Sequence, residues 1–268
     1  MNSTWRQRRK NTFILIILIL VLAYSGYKIY PYLNPVPTCF DKKQNGDELG
    51  VDCGGSCQAV CPTQVAAFNI KFAKAIKTED GLYDLVALVE NKNSDKNTVD
   101  GSVDYIFNIY DKAGSVIKTV TGTTSLLLGQ TFPVIVQNTP IDLGSSGNDI
   151  GQVSFQIKDN NKSWKNENSV YASSFFNVYD TRFDQNKNDI SQLNVTLQNL
   201  TAATFRNFPV RVMLYDDKNN LIGVNETIVK EFGPREMKNV IFTWRNPLNS
   251  DNPKVNVYEI ITPFTVIK

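Results

Sequence analysis

The chain contains no histidine, which removes the commonest general base and the commonest metal ligand together. It has no Gly-x-Ser-x-Gly elbow and no phosphate-binding glycine-rich loop, so the markers of a serine hydrolase and of a nucleotide enzyme are both missing. A basic surplus is lacking too. Lys and Arg number 28 against 26 Asp and Glu. However, Arg6, Arg8, Arg9, Lys10 and Lys28 all fall in the first 30 residues, where there is no acid. The remainder, 31–268, holds 23 basic and 26 acidic residues, a net of −3. That body offers no positive field to a phosphate backbone, and no nucleic-acid partner is expected. Cysteine is scarce and confined, with all four residues between positions 39 and 61. What is present suffices for folding: 268 residues, 42% of them hydrophobic, exceed what a disordered chain carries and allow about two domains.

The longest apolar run comes first. Phe13 to Tyr24 is unbroken by any polar residue before Ser25, and Asn11 to Tyr27 carries no charge. Seventeen uncharged residues reach the lower end of what spans a bilayer, and the ammonium of Lys28 can snorkel to the headgroups. Four basic residues precede the run and one follows it, which keeps the N-terminus cytoplasmic and places the body outside. Trp5 on one side and Tyr24, Tyr27, Tyr30 and Tyr32 on the other form the aromatic belts of such an anchor. The alternative is a cleaved signal peptide, with Ala23 and Ser25 as the small residues ahead of Gly26. Both readings export the body.

Export decides the redox state. Cys39, Cys53, Cys57 and Cys61 are expected to form two disulfides, and their spacing leaves three pairings open. Within the same stretch, Asp41, Asn45, Gly46, Asp47 and Asp52 fall at positions 1, 5, 6, 7 and 12 of a loop counted from Asp41. That is part of an EF-hand pattern, with Lys43 at position 3 unable to ligate and Glu48 available to replace the missing oxygen. Two readings stand: a calcium site built from Asp41, Asn45, Asp47, Glu48 and Asp52, or a plain disulfide knot whose acids face water. Residues 39–57 also resemble a cysteine-rich motif of exported proteins, C-x-D-x-x-x-N-G-x-E-x-x-x-D-C-G-G-x-C. The resemblance implies an extracellular knot.

From Gln64 onward the periodicity is that of strands. After Ile190, Leu193, Val195 and Leu197 face one way and Asn194, Thr196 and Gln198 the other, and Val103, Tyr105, Phe107 and Ile109 alternate likewise. Turn clusters such as "DKAG", "DDKNN" and "NPLNSDNP" separate such runs. Residues 68–91 align without a gap on 176–199 at a shift of 108: Phe68 meets Phe176, Leu85 meets Leu193, and Asn91 meets Asn199. Further on, Tyr110-Asp111 meets Tyr215-Asp216, and Gly129 meets Gly233. A shared order of this kind marks an internal repeat. Each half resembles the FxLYD type of immunoglobulin-like domain, through Phe107-Asn-Ile-Tyr110-Asp111 and Val212-Met-Leu214-Tyr215-Asp216. The resemblance implies an exported β-sandwich without enzymatic activity. Physics accounts for the motif without any ligand: Phe107 and Ile109 bury one face, and Asp111 and Asp216 accept local backbone hydrogen bonds in a turn.

The expected fold is all-β, with two tandem immunoglobulin-like β-sandwiches after an N-terminal transmembrane helix and a small disulfide knot. Its parts are a cytoplasmic basic tail (1–11), the anchor (12–30), a Pro-rich extended spacer (31–38), the cysteine-rich knot (39–62) and two domains (64–165 and 170–268), joined by a polar linker around 165–169. The functional expectation is a non-catalytic, single-pass protein of the cell membrane that engages another envelope or surface protein. An exported ligand- or ion-binding subunit of a membrane complex is the alternative. Calcium is the one cofactor that the acidic loop implies.

Overall fold

The computed structural model describes residues 3–33, 39–93, 98–99, 102–125, 129–143, 149–158, 164–165, 175–185, 190–259 and 266–267. The chain divides into two compact units, Met1–Cys57 and Gln58–Lys268. The predicted linker at 165–169 and the spacer positions 34–38 lie largely or wholly outside the described residues.

In the first unit a single helix, α1 (Ser3–Leu33), contains the apolar run. It is longer than predicted at both ends and includes positions 31–33, which were expected to belong to an extended spacer. Gln7–Tyr30 is long and apolar enough to cross a membrane, and none of that stretch is buried within the protein. At about 1.5 Å per residue its 24 residues give roughly 36 Å, against a hydrocarbon core of about 30 Å. The ammonium of Lys28 sits 5.9 Å from the centre of the Tyr24 ring, one turn back. After α1 the chain forms tight turns around a Gly50–Cys53 bridge.

The second unit is all β. After a short 3₁₀ turn (Pro62–Gln64) come β1 (Asn69–Glu79), β2 (Leu82–Glu90) and a two-residue β3 (Thr98–Val99). There follow β4 (Ser102–Asp111), β5 (Val116–Ser125), β6 (Thr131–Pro140) and β7 (Ile150–Lys158). A short β8 (Trp164–Lys165) pairs with β3. The second half repeats the series with β9 (Phe176–Gln185), β10 (Ser191–Asn199), β11 (Thr204–Tyr215) and β12 (Leu221–Phe232). It closes with β13 (Met237–Trp244), β14 (Lys254–Glu259) and a short β15 (Val266–Ile267) paired to β11. The two halves share one topology. Sheet order β1-β2-β6 corresponds to β9-β10-β13, and β5-β4-β7 to β12-β11-β14, all antiparallel.

Each half is a sandwich because alternate residues of its two sheets meet. In the first, Leu85, Ala87, Val89 and Phe132 of one sheet pack on Phe107, Ile109 and Phe155 of the other. In the second, Leu193, Val195, Leu197 and Phe242 pack on Phe208, Val210, Val212 and Leu214, and Phe176 lies between the rings of Phe205, Phe208 and Phe232 at 4.7–5.2 Å. Phe107, Ile109, Val212 and Leu214 are all fully buried, as the strand pattern requires.

The Tyr-Asp positions close the same turn twice. Asp111 Oδ1 accepts from Ser115 N at 2.8 Å, and Asp216 Oδ1 accepts from Lys218 N and Asn220 N at 2.9 and 2.7 Å. The strand-end asparagines are buried anchors: Asn199 is fully enclosed and donates to the carbonyls of Ala203 and Gly233. The β1–β2 hairpin turns at Asp80-Gly81, where Gly81 takes φ +75°, a conformation costly for other residues.

A third cluster lies between the sandwiches. Val86, Met213 and Val224 are fully buried there, with Phe72, Leu88, Ile135 and Tyr258 packed around them. The outer face of β1-β2-β6 therefore packs on the outer face of β12-β11-β14. Arg211, itself buried, donates to the Pro133 carbonyl at 2.6 Å and pairs with Glu226. Gln137 Nε2 donates to Asn225 Oδ1 at 3.0 Å.

Candidate functional site

The cysteine-rich stretch is built by short-range chemistry. Cys39 and Cys57 form a disulfide, Cys53 and Cys61 are disulfide-bonded as well, and no cysteine is free. Asn45 Nδ2 donates to Asp41 Oδ2 at 2.7 Å, and Asn45 N donates to Glu48 Oε2 at 3.2 Å. Asp41, Asn45 and Glu48 thus form one hydrogen-bonded group. The other two predicted ligands are engaged elsewhere. Asp52 receives Lys42 N on both carboxylate oxygens, at 3.1 and 3.0 Å, while Asp47 Oδ1 receives Ser56 Oγ at 2.8 Å. Lys42 and Asp52 both take positive φ, 60° and 56°, so the turns are set by backbone geometry as well as by side chains.

Glu48 is buried, with Oε1 3.3 Å from the Cys57 sulfur. Among the described residues, the group of three potential metal ligands that converge within 4.8 Å is Glu48 with Cys39 and Cys57. Those two sulfurs are bonded to each other and have no thiolate to offer a metal. Asn45 Oδ1 is buried and accepts no hydrogen bond.

A second feature was not foreseen from sequence. Where the sandwiches meet, a cleft of about 380 Å³ is lined by the end of β1, by Gln137 and Asn138 of β6, by the start of β12, and by the 243–249 segment. Trp244 Nε1 donates to the Val224 carbonyl at 3.0 Å, holding the indole as part of the wall. Asn246 Nδ2 donates to the Thr78 carbonyl, and Arg245 lies 3.7 Å from Glu79, so this loop of the second half fastens to β1 of the first. Asn138 takes φ 53° beside a register shift in the β2–β6 ladder and gives its N–H to buried Asp84 at 2.9 Å. Burial holds the Asp84 carboxyl above the ordinary aspartate range, and the Asn138 N–H opposes the rise. Around the neighbouring interface Tyr215 is pushed up to about 12, chiefly by burial and then by Tyr258. These phenols remain neutral donors at any physiological pH.

The turn cluster "NPLNSDNP" that supplies Asn246 and Asn249 was legible only as a turn. The signal that could have found the interface is β2 itself: "LYDLVALVE" is apolar on both faces, whereas its counterpart "SQLNVTLQN" alternates.

The chain matches no protein-family model and no curated protein sequence. Solved structures similar to it include a β-glucuronidase of glycoside hydrolase family 2, at 12% identity and a TM-score of 0.22 over 84% of this chain and 28% of that one. A second is the β-glucuronidase of Parabacteroides merdae, at 10% identity and a TM-score of 0.20 over 69% and 30%. The chain spans less than a third of either enzyme. A 7S globulin of Momordica charantia matches at 7% identity and a TM-score of 0.12 over 70% of this chain and 86% of that one.

Proposed function

We propose that this is a non-catalytic, membrane-anchored extracytoplasmic protein whose paired immunoglobulin-like modules, of the FxLYD type, hold another component of the cell envelope or surface. The observation that carries the proposal is the order of parts. An apolar helix with four of its five basic residues on the N-terminal side precedes a stretch in which every cysteine is oxidised. Disulfides persist outside the cytoplasmic membrane, and positive residues stay inside it. The Lys28–Tyr24 contact supports a lysine reaching from the apolar core to the headgroup level. Two sandwiches locked through a buried apolar cluster and the Arg211 contacts suit a rigid presenting element better than a catalyst.

The decisive experiment is a topology measurement. An alkaline phosphatase fused after Lys268 is expected to be active, a cytoplasm-dependent reporter at the same place inactive, and the mature N-terminus to lie at residue 1 or 2. A mature protein beginning at Gly26 would replace the anchor with a signal peptide, and an active cytoplasmic reporter would overturn export altogether.

The cleft between the sandwiches favours a second reading, an exported ligand-binding subunit of a membrane complex. Calcium held by Asp41, Asn45, Asp47, Glu48 and Asp52 belongs to the proposal as an accessory of the knot. An ion there displaces Asn45 Nδ2 from Asp41 and Lys42 N from Asp52, which sets its affinity in the weak range of extracellular modules.

A further inference from the structure

The cleft exists only because the two sandwiches are docked, since β1 and β6 of one half and β12, β13 and the following loop of the other form its walls. Its volume of about 380 Å³ falls within the ~300–1,000 Å³ of small-molecule sites. Four carboxamides line it: Gln137, Asn138, Asn225 and Asn246, with Asn249 at the outer turn making five. Part of this set already serves the protein, since Gln137 Nε2 donates to Asn225 Oδ1, Asn225 Nδ2 to the Thr243 carbonyl and Asn246 Nδ2 to the Thr78 carbonyl. What remains for a ligand is the second N–H of each amide and the oxygens of Gln137 and Asn246, with Asn138 and Asn249. A sugar hydroxyl, donor and acceptor at once, pairs with either kind of group. The charged lining cancels, with Lys77 and Arg245 offset by Glu79 and Asp84. An anionic polymer would meet two carboxylates there, and a cationic one an arginine whose side chain is 89% exposed. Ile76, Leu221 and Leu248 supply apolar ground for the C–H face of a ring. Gly223 keeps that ground open, because a Cβ there would stand 3.2 Å from Trp244 Nε1 and 3.3 Å from Leu248.

We propose that the cleft between the two sandwiches binds a short segment of a neutral glycan. The proposal deepens the envelope-binding reading by naming the class of component held, and it rests on that reading for where the glycan is met.

The test uses the full chain in lipid nanodiscs, which avoids sugar-based detergents. Saturation-transfer NMR is run with chitotetraose, cellotetraose and maltotetraose, and with a neutral Gly-Ser-Asn hexapeptide for comparison. At least one oligosaccharide is expected to bind. Asn246→Ala is expected to weaken it about tenfold, through one hydrogen bond lost from the ligand together with the tie to the Thr78 carbonyl that holds the wall in place. Asn249→Ala, on an exposed turn where it cannot unfold the protein, is expected to weaken it measurably. No saturation transfer to any of the three sugars overturns the proposal, as does binding unchanged in Asn249→Ala. Preferential binding of the hexapeptide assigns the cleft to peptide and overturns it equally. Membrane topology is read separately by the reporter fusions, so failure of the glycan inference is distinguishable from failure of the export reading.

Discussion

Val86 and Asn194 occupy the same place in the two halves of the repeat. Each sits at the centre of its sheet, Val86 between Lys74 and Ile135, Asn194 between Arg182 and Ile241. Their surroundings differ completely. Val86 is fully buried against Met213 and Val224 of the other sandwich, while Asn194 lies on an open face and receives Gln192 Nε2 at 3.2 Å and Asn239 Nδ2 at 3.4 Å. Exchanging the residues separates interface from strand. Val86→Asn forfeits the burial of a valine, about 1.5–3 kcal/mol, and leaves an amide without partners in a buried apolar contact, about 1–3 kcal/mol more. A total loss of roughly 3–5 kcal/mol is expected, a large share of the ~5–15 kcal/mol that holds a domain. Asn194→Val, in a strand that favours β-branched residues, is expected to stay within about 0.5 kcal/mol of the parent. Urea unfolding of the full chain followed by circular dichroism measures both. Hydrogen exchange locates the loss, which must reach β11 in the second sandwich as well as β2 in the first. A Val86→Asn cost within about 1 kcal/mol of that of Asn194→Val refutes the shared core.

Three further outcomes are expected. Glu259 is pushed up to about 6 by burial, against the pull of its own backbone N–H. Its contribution is therefore full below about pH 4.5 and lost as pH rises through about 6, roughly 2 kcal/mol in all. Thermal melts across that window should fall for the parent and stay flatter for Glu259→Gln. Asp216 is held below its usual range, first by the Asn220 side chain and then by backbone N–H groups, so its contribution is present above about pH 3.8 and lost as pH falls. Asp216→Ala is expected to speed amide exchange at Lys218 and Asn220 at neutral pH, and unchanged rates would remove the aspartate from the turn. Reduction of the Cys39–Cys57 bridge, which closes an 18-residue separation, is expected to release about 3 kcal/mol of loop constraint and expose residues 39–57 to protease. Calcium is expected to slow that cleavage only near millimolar ion, and isothermal titration without heat at that concentration leaves the acids facing water.

How far these features can be read from the amino acids depends on the range of the forces that make them. The turn at Asp216 was legible because donor and acceptor lie within four residues, and the strands around Phe107 and Leu193 because burial on one face imposes a period of two. The apolar helix was legible for the same local reason, although its length beyond Thr12 and Tyr30 was not. The cystine partners were not legible, since four clustered cysteines close three ways at similar cost. For the acidic loop, spacing matched a calcium pattern, but spacing says nothing of where a carboxylate points. Asp52 satisfies Lys42 N–H and Asp47 satisfies Ser56, contacts set by the positive-φ turns. The cleft was the least legible, because residues as distant as Thr78 and Asn246 come together only through the docking of whole sheets.

That docking has a consequence for where the array stops. The contact is heterologous: the outer β1-β2-β6 face of the first half meets the outer β12-β11-β14 face of the second. Each half therefore retains one copy of a surface that the other half uses for docking, and such an arrangement propagates unless those surfaces are altered. Here they are altered. Where the first half docks with Phe72, Val86 and Leu88, the second presents Asp180, Asn194 and Thr196 in the same registers. Where the second docks with Met213 and Val224, the first presents Asn108 and Thr119, hydrogen-bonded to each other at 2.9 Å. Ile241 and Met237 are the exceptions, both half-exposed on the outer face of β13, Ile241 at the position of buried-side Ile135, and two apolar side chains among amides and hydroxyls make too small a patch to drive stacking. Polar end faces are what a repeat array needs to remain soluble at its ends. The same substitutions that end the stacking also make the repeat hard to see in sequence, because the two halves must differ most at the positions where their environments differ.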